Sequence, residues 1–359
     1  MSSVKEPTAG MATMSADDEH GRHHQGGADT LVHPALFYAD DEAYLAGTVP
    51  FLREGLDAGE PVMMAAPPDR LDVVHTALGP QASDVVFHDM TVAGRNPGRI
   101  IAGVLRAFVD EHAGRGRVRI IGEPIWAGRS PAEYAAAVQH EALINVALAD
   151  RPATVLCPYD TTALAPAVVA DAERTHPVIL ERGATSASAH YADPAELAQW
   201  VSGPLADPEE VGETLVFGAP DGPRVVRRAV AEHALRAGLD EDRAADLSLA
   251  AYEVAVNTVV HTGRPGLLSL WTREPGRGAG EPAAVVCEVQ DSGWITDPLV
   301  GRHRAGPAEG RGYGLSLAHQ LCDLVQIHSD PSDGTTVRMT ACLPAAPDLS
   351  ARGASARRP

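Results

Sequence analysis

The sequence predicts two units of different kind: an N-terminal α/β domain on a mainly parallel sheet, then a C-terminal α+β two-layer sandwich. Three observations predict it. Up to residue 158, short apolar runs alternate with helical patterns; a stretch rich in Ala, Ser, Pro, Gly and acids follows; beyond it, two helices precede a set of alternating strands. A chain of 359 residues is long for one core and comfortable for two.

Residues 1–30 are rich in Ser, Gly, Asp and His and lack the apolar core of a signal peptide, so they read as a disordered tail of a cytoplasmic protein. Within it, His20, His23 and His24 could hold a metal loosely, although a polar tail explains them equally well. The N-terminal domain is placed at 31–181, with strands at 35–38, 62–66, 85–88, 118–122 and 154–157. Its best-signalled helix opens at Ser130, with Pro131 at the first helical position and Glu133 closing a capping box, and runs to 149. A linker is placed at 182–216, with a short helix at 197–201.

The C-terminal domain is placed at 217–344, followed by a second tail at 345–359. A helix at 224–237 closes on Gly238, and a second opens on Asp240, Glu241 and Asp242, whose carboxylates suit a helix N-terminus, and runs to His261. Strands are predicted at 267–271 and 284–290, a helix at 314–324, and a hairpin turning at Ser332-Asp333-Gly334.

Composition excludes several functions. A net charge of -19 repels phosphate backbones and anionic lipid, which argues against direct nucleic-acid or membrane partners. No apolar run approaches the roughly 18 residues of a membrane helix. Cys157, Cys287, Cys322 and Cys342 form no Cys-x-x-Cys pair, so reduced, mostly buried thiols are expected rather than zinc or redox chemistry. The only lysine is Lys5, in the tail. P-loop enzymes, eukaryote-type protein kinases and Schiff-base enzymes all need a lysine at the site, and all are excluded.

Glu253, Asn257 and His261, spaced four apart, share one helix face, with Leu249, Val256 and Val260 covering others. The Asn257 amide oxygen could hold Mg²⁺ while Glu253 orients or deprotonates a hydroxyl attacking a γ-phosphate. Alone, the pair reads better as a solvated face. Asp291 ends an alternating strand two residues before Gly293, where a carboxylate can accept the exocyclic amine of adenine and the glycine lets backbone approach the base. Gly310, Gly312 and Gly314 alternate into a helix at Leu315, where backbone N–H groups could bind phosphates without a lysine.

In this order, Glu253-x-x-x-Asn257, Asp291-x-Gly293, Gly310-x-Gly312-x-Gly314-Leu315 and Gly334-Thr335-Thr336 resemble the anti-sigma-factor serine kinase branch of the GHKL ATPase superfamily, over 217–343. Residues 321–326 are similar to versions from filamentous actinobacteria. The resemblance implies Glu253 as base, Asn257 as Mg²⁺ ligand and Asp291 as adenine acceptor. Gly312 and Gly314 would contact phosphates, Thr335 would support the adenine pocket, and Gly293, Gly310 and Leu315 would complete the nucleotide set. Residues 296–309, with Arg302, His303 and Arg304, would form the ATP lid. Two positions depart from the pattern: Ile295 stands for the second glycine of the Asp-x-Gly-x-Gly block, and Trp294 for the small residue before it.

In the N-terminal half, Asp40, Asp41, Glu123 with Trp126, and Tyr159 with Asp160 fall at the carboxyl ends of predicted strands, where parallel sheets gather ligands. Each by itself reads better as a helix cap, loop anchor or packing residue. His33 with Tyr38, residues 51–56, Gly59-Glu60, residues 122–126 and residues 156–160 resemble the methanogen/methylotroph sensory (MEDS) domain over 31–180, which implies a signal-sensing domain without fixing a ligand. His140-Glu141 is similar to the start of a phospho-accepting histidine motif, but Asn145 stands where the motif has proline, and a core or surface histidine is the better reading.

The expectation is a signal-responsive anti-sigma-factor regulator that binds ATP and Mg²⁺ and phosphorylates Ser or Thr of an anti-sigma-factor antagonist. Its partners would be a sigma factor, that antagonist, or both, with a small-molecule or protein signal at the N-terminal domain and room for a homodimer. The rivals are a sequestering module without kinase activity and a histidine kinase using His140.

Overall fold

Apolar runs too short for helices pair into one sheet in the N-terminal domain. The computed structural model describes residues 30–194, 197, 203–208, 211–276, 281–302 and 313–344. β1 (Pro34–Tyr38), β2 (Val62–Ala66), β3 (Val85–Asp89), β4 (Val118–Gly122), β5 (Ala153–Asp160) and β6 (Val178–Glu181) lie parallel in the order β3-β2-β4-β5-β1-β6. β1 and β2 are buried along their whole length, as strands covered on both faces must be.

Helices α1 (Asp41–Asp57) and α2 (Pro68–Leu78) cover one face, packing Tyr44, Leu52 and Val74 against it. Short α3 (Met90–Ala93) leads into α4 (Arg106–Glu111), and α5 (Pro131–Ala147) and α6 (Pro166–Thr175) follow; Phe108 and Leu143 fill the second core. The predicted capping box forms at the start of α5. The Glu133 backbone N–H donates to Ser130 Oγ, and the Ser130 N–H donates to Glu133 Oε2.

The stretch expected to be a linker contributes strands at both ends. β7 (Ala184–Ala187) folds back antiparallel on β6 because Arg182 (φ 49°) and Gly183 (φ 76°) both take left-handed backbone, the geometry of a tight hairpin turn. β8 (Glu213–Phe217) becomes the edge of the second sheet. Of the predicted helix at 197–201, only Leu197 is described and the rest lies outside the described residues.

The C-terminal domain sets α7 (Gly222–Ala237) and α8 (Glu241–Thr262) against an antiparallel sheet. Its order is β11-β12-β10-β9-β8, from β9 (Gly266–Arg273), β10 (Ala284–Asp291), β11 (Leu324–Asp330) and β12 (Gly334–Cys342). Gly238, at φ 100°, closes α7, and Asp240 caps α8 by accepting from the Arg243 N–H. The core face of α8 runs through Leu247, Ala251, Val254, Ala255 and Thr258. Val260, on another face than Glu253 and Asn257, is 68 % exposed, since the core-facing apolar stripe is offset from it around the helix.

α9 (Tyr313–Leu321) stops three residues before the predicted end. Asp323 breaks it by accepting from the Cys342 N–H and pairing with Arg243 and Arg95, and Leu324 then starts the β11–β12 hairpin. Cys157, Cys287 and Cys322 are buried free thiols and Cys342 is part-buried. Among the described residues, no helix is long and apolar enough to cross a membrane.

The two domains meet at α9. Asn96 Nδ2 donates to the carbonyl of His319 (2.9 Å), and Arg99 donates to those of His319 (2.7 Å) and Cys322 (2.9 Å). Arg302 donates to Gln139 Oε1 on α5.

Candidate functional site

α8 carries the centre of the candidate site. Glu253 and Asn257, one turn apart and part-buried, face the first turn of α9. Gly314 permits that approach: a Cβ there would lie 3.0 Å from Asn257 Nδ2 and 3.2 Å from Glu253 Cβ. Leu315 beside it is buried in the core and anchors the turn. His261, expected on the same face, is exposed near the end of α8.

Asp291 ends β10 with both carboxylate oxygens engaged. Oδ2 accepts from Thr258 Oγ1 (2.6 Å) and Oδ1 from the Gly293 N–H (2.7 Å). Each oxygen can accept a second hydrogen bond, so the carboxylate is fixed in direction and still open to an amine. Thr335 lies opposite Asp291 on β12. Its hydroxyl donates to the Gly293 carbonyl (2.9 Å) and lies 2.8 Å from Ser329 Oγ, which accepts from the Ile295 N–H (2.9 Å). Gly334 completes the frame at φ 82°, where a Cβ would lie 2.1 Å from the Asp291 carbonyl oxygen.

Thr258 was missed by sequence reasoning and ties the two halves together, because it follows Asn257 and bonds Asp291. The available signal was a hydroxyl at a core-facing position of α8. Glu253, Asn257 and Gly314 thus gather on one side of α8's outer end, with Asp291, Gly293 and Thr335 beside them. Gly310, Gly312, His303 and Arg304 lie outside the described residues. Arg302, expected among the lid arginines, is instead buried against Gln139, and burial holds its guanidinium down to about 10. Trp294 stands 58 % exposed on the loop after Asp291, while Ile295 packs on the core.

At the carboxyl ends of the parallel strands, Glu123 is buried and accepts from the hydroxyls of Tyr38 (3.1 Å) and Tyr44 (3.0 Å). Burial pushes its carboxyl up to about 8, against the pull of those hydroxyls and of Arg70. Arg70, which the sequence did not single out, pairs with Asp41 (2.6 Å) and Asp160 (3.5 Å) and lies over both tyrosine rings. Asp40 is the N-cap of α1, and Trp126 stacks under Arg129. Tyr159 does not join this cluster; its ring packs edge-on to His176 in the second core.

His140 is 1 % exposed, and burial pushes its imidazole down to about 3. A side chain sealed inside α5's core face is not presented to ATP, which weighs against the histidine-kinase rival.

Residues 32–177 match the MEDS family, described as the methanogen/methylotroph, DcmR sensory domain, and residues 219–341 match the histidine kinase-like ATPase domain. A comparison with curated proteins gave no match. The chain carries a MEDS domain followed by a histidine kinase-like ATPase domain of GHKL type, a kind of domain that implies nucleotide binding, usually with Mg²⁺.

Proposed function

We propose that the chain is a signal-responsive anti-sigma-factor regulator that binds Mg-ATP and phosphorylates a Ser or Thr of an anti-sigma-factor antagonist. The observation that carries this reading is the use of one helix for every part of the site: Glu253 and Asn257 against Gly314, and Thr258 on Asp291. The donor set fits the cofactor, since an amide oxygen and a neighbouring carboxylate on α8, facing the start of α9, suit a hard cation beside phosphates. Asn257 would hold Mg²⁺, which when bound neutralises charge on the transferring phosphoryl group.

Glu253 takes the proton of the partner hydroxyl. The hydroxyl oxygen forms a bond to the γ-phosphorus, the bond from that phosphorus to the bridging oxygen breaks, and ADP leaves with the electron pair. With no lysine in the sequence after Lys5, the backbone amides opening α9 share the phosphate charge. The sensory domain acts through its hold on Arg302 and on the end of α9.

Glu253→Ala in the full chain should cut transfer to the antagonist by roughly 10²–10⁴-fold while sparing Mg-ATP affinity, measured by radiolabel transfer and calorimetry. Unchanged transfer overturns the mechanism. A second reading, sequestration of a sigma factor without transfer, is favoured by exposed Trp294 where the resemblance expects a small residue. It requires sigma binding that neither Mg-ATP nor the Glu253 substitution alters.

A further inference from the structure

Away from the nucleotide site, four ligand-type side chains meet between α5 and the first sheet. His33 precedes β1, Cys157 lies on β5, Glu141 on α5, and His176 joins α6 to β6; none is more than 1 % exposed. Their candidate ligand atoms all lie within 4.8 Å of one another. His33 Nε2 is 3.4 Å from Cys157 Sγ and 3.4 Å from Glu141 Oε2, and His176 Nε2 is 3.2 Å from the same oxygen. A tetrahedral ion with arms of about 2.0 Å to nitrogen and oxygen and about 2.3 Å to one sulfur spaces its ligands roughly 3.3–3.5 Å apart. The three separations match that spacing to about 0.1 Å.

The surroundings fix which imidazole nitrogens carry hydrogen. Asn145 Nδ2 donates to the Thr175 carbonyl (2.8 Å), so its Oδ1 faces His33 Nδ1 (3.1 Å), which must donate. His176 Nδ1 lies 2.9 Å from the Ala172 carbonyl, which can only accept, so it donates too. In its neutral form each ring then turns a bare Nε2 into the cluster. The Cys157 thiol can offer its proton to His33, but with the rings neutral both Glu141 oxygens and His176 Nε2 are buried without a hydrogen-bond partner among the described residues. Lone pairs aimed at an ionised carboxylate in a dry space need a proton or a metal cation between them, and a metal ion can satisfy both rings, the thiolate and the carboxylate at once. Metal-binding histidines are held in this way, with the second ring nitrogen donating to a carbonyl or amide.

We propose that His33 Nε2, His176 Nε2, Cys157 Sγ and a Glu141 carboxylate oxygen bind one divalent cation of the zinc class in a closed tetrahedral site. Binding forms four bonds to the metal and releases the thiol proton to solvent. A site closed by four protein ligands leaves no position for substrate, so the ion staples β1, β5, α5 and the α6–β6 junction. Cysteine spacing could not reveal it, because the ligands come from four separate segments and only one is a cysteine.

The test uses the full, untagged chain with His20, His23 and His24 replaced by alanine, so that the tail cannot contribute. Elemental analysis should find one zinc per chain, and reconstitution with Co²⁺ should give tetrahedral visible bands and a thiolate-to-cobalt band in the near ultraviolet. Cys157→Ser should abolish the thiolate band. His176→Gln should weaken zinc by more than the roughly 10–100-fold expected for Asn145→Ala, which removes only a supporting hydrogen bond. Should those variants fail to fold, the parent chain still decides: a strong chelator should lower its melting temperature, and added zinc should restore it. A natively folded parent chain that takes up neither Zn²⁺ nor Co²⁺, or a cobalt spectrum that survives Cys157→Ser unchanged, overturns the proposal.

Discussion

The carboxylates of Asp291 and Glu141 are satisfied in opposite ways. Each Asp291 oxygen has a donor within the chain, Thr258 or the Gly293 amide, and the side chain is part-exposed beside a loop framed by glycines. Both Glu141 oxygens are sealed inside the sensory domain and, with the two imidazoles neutral, accept no hydrogen bond among the described residues; a nitrogen of each ring approaches one of them. The first arrangement is finished before its ligand arrives, and the ligand adds to it from solvent. The second is incomplete as a set of neutral groups, and whatever completes it enters during folding or through local opening. Glu123 falls between the two: it is buried like Glu141, but two tyrosine hydroxyls supply donors.

The largest effect should come from breaking the finished frame. Gly334→Ala places a Cβ against the Asp291 carbonyl at a left-handed φ, and should cost about 2–5 kcal/mol in urea unfolding and remove ATP binding. A variant of full stability that still binds nucleotide would show that the frame adapts. Glu123 sharpens the contrast through pH. Its folded carboxyl holds a proton up to about 8 against an ordinary value of 4.5, so the fold gains stability below 4.5 that is lost progressively as pH rises to about 8. The unfolding free energy from urea titration should fall across that window, by at most about 1.4 kcal/mol per pH unit, and Glu123→Gln should flatten the slope.

Asp291→Asn should weaken ATP by roughly 10–100-fold in calorimetry, as expected for a charge-assisted hydrogen bond worth about 1.5–3 kcal/mol, with little change in melting. Thr258→Val should have the smallest effect. It removes one of two donors to Asp291 and should lower ATP affinity by a few-fold, about 1 kcal/mol. An effect as large as that of Asp291→Asn would mean that the carboxylate depends on Thr258 for its direction.

The same contrast explains what the sequence made legible. Glu253 and Asn257 sit one helical turn apart, Asp291 and Gly293 two residues apart, and Gly314 at the mouth of its helix, so local spacing kept most of the C-terminal site readable. Thr258 escaped because a helix threonine is common and only its partner, 33 positions along the chain, gives it meaning. Arg70 escaped for the same reason, since its partners Asp41 and Asp160 lie on other elements. Strand positions in the first sheet were legible from apolar runs. β7 was not, because Ala184–Ala187 is exposed along its length and carries no apolar signal; its turn at Arg182 and Gly183 makes it a strand. Arg302 shows the remaining limit: a lid position read from the order of motifs cannot reveal that another domain holds its side chain.

α9 has one end in each half of the molecule's business. Its first turn lies against Asn257, and its last carbonyls are taken by Asn96 and Arg99 of the sensory domain. The helix spans only nine residues, about 13 Å. A helix is polar along its axis, positive where it begins and negative where it ends. Arg99 therefore places a full positive charge on the tail of the same dipole whose head would meet phosphate. Withdrawing that guanidinium would change the field at the nucleotide without moving any residue that touches it, so the sensory domain could tune affinity electrically and leave the shape of the site untouched.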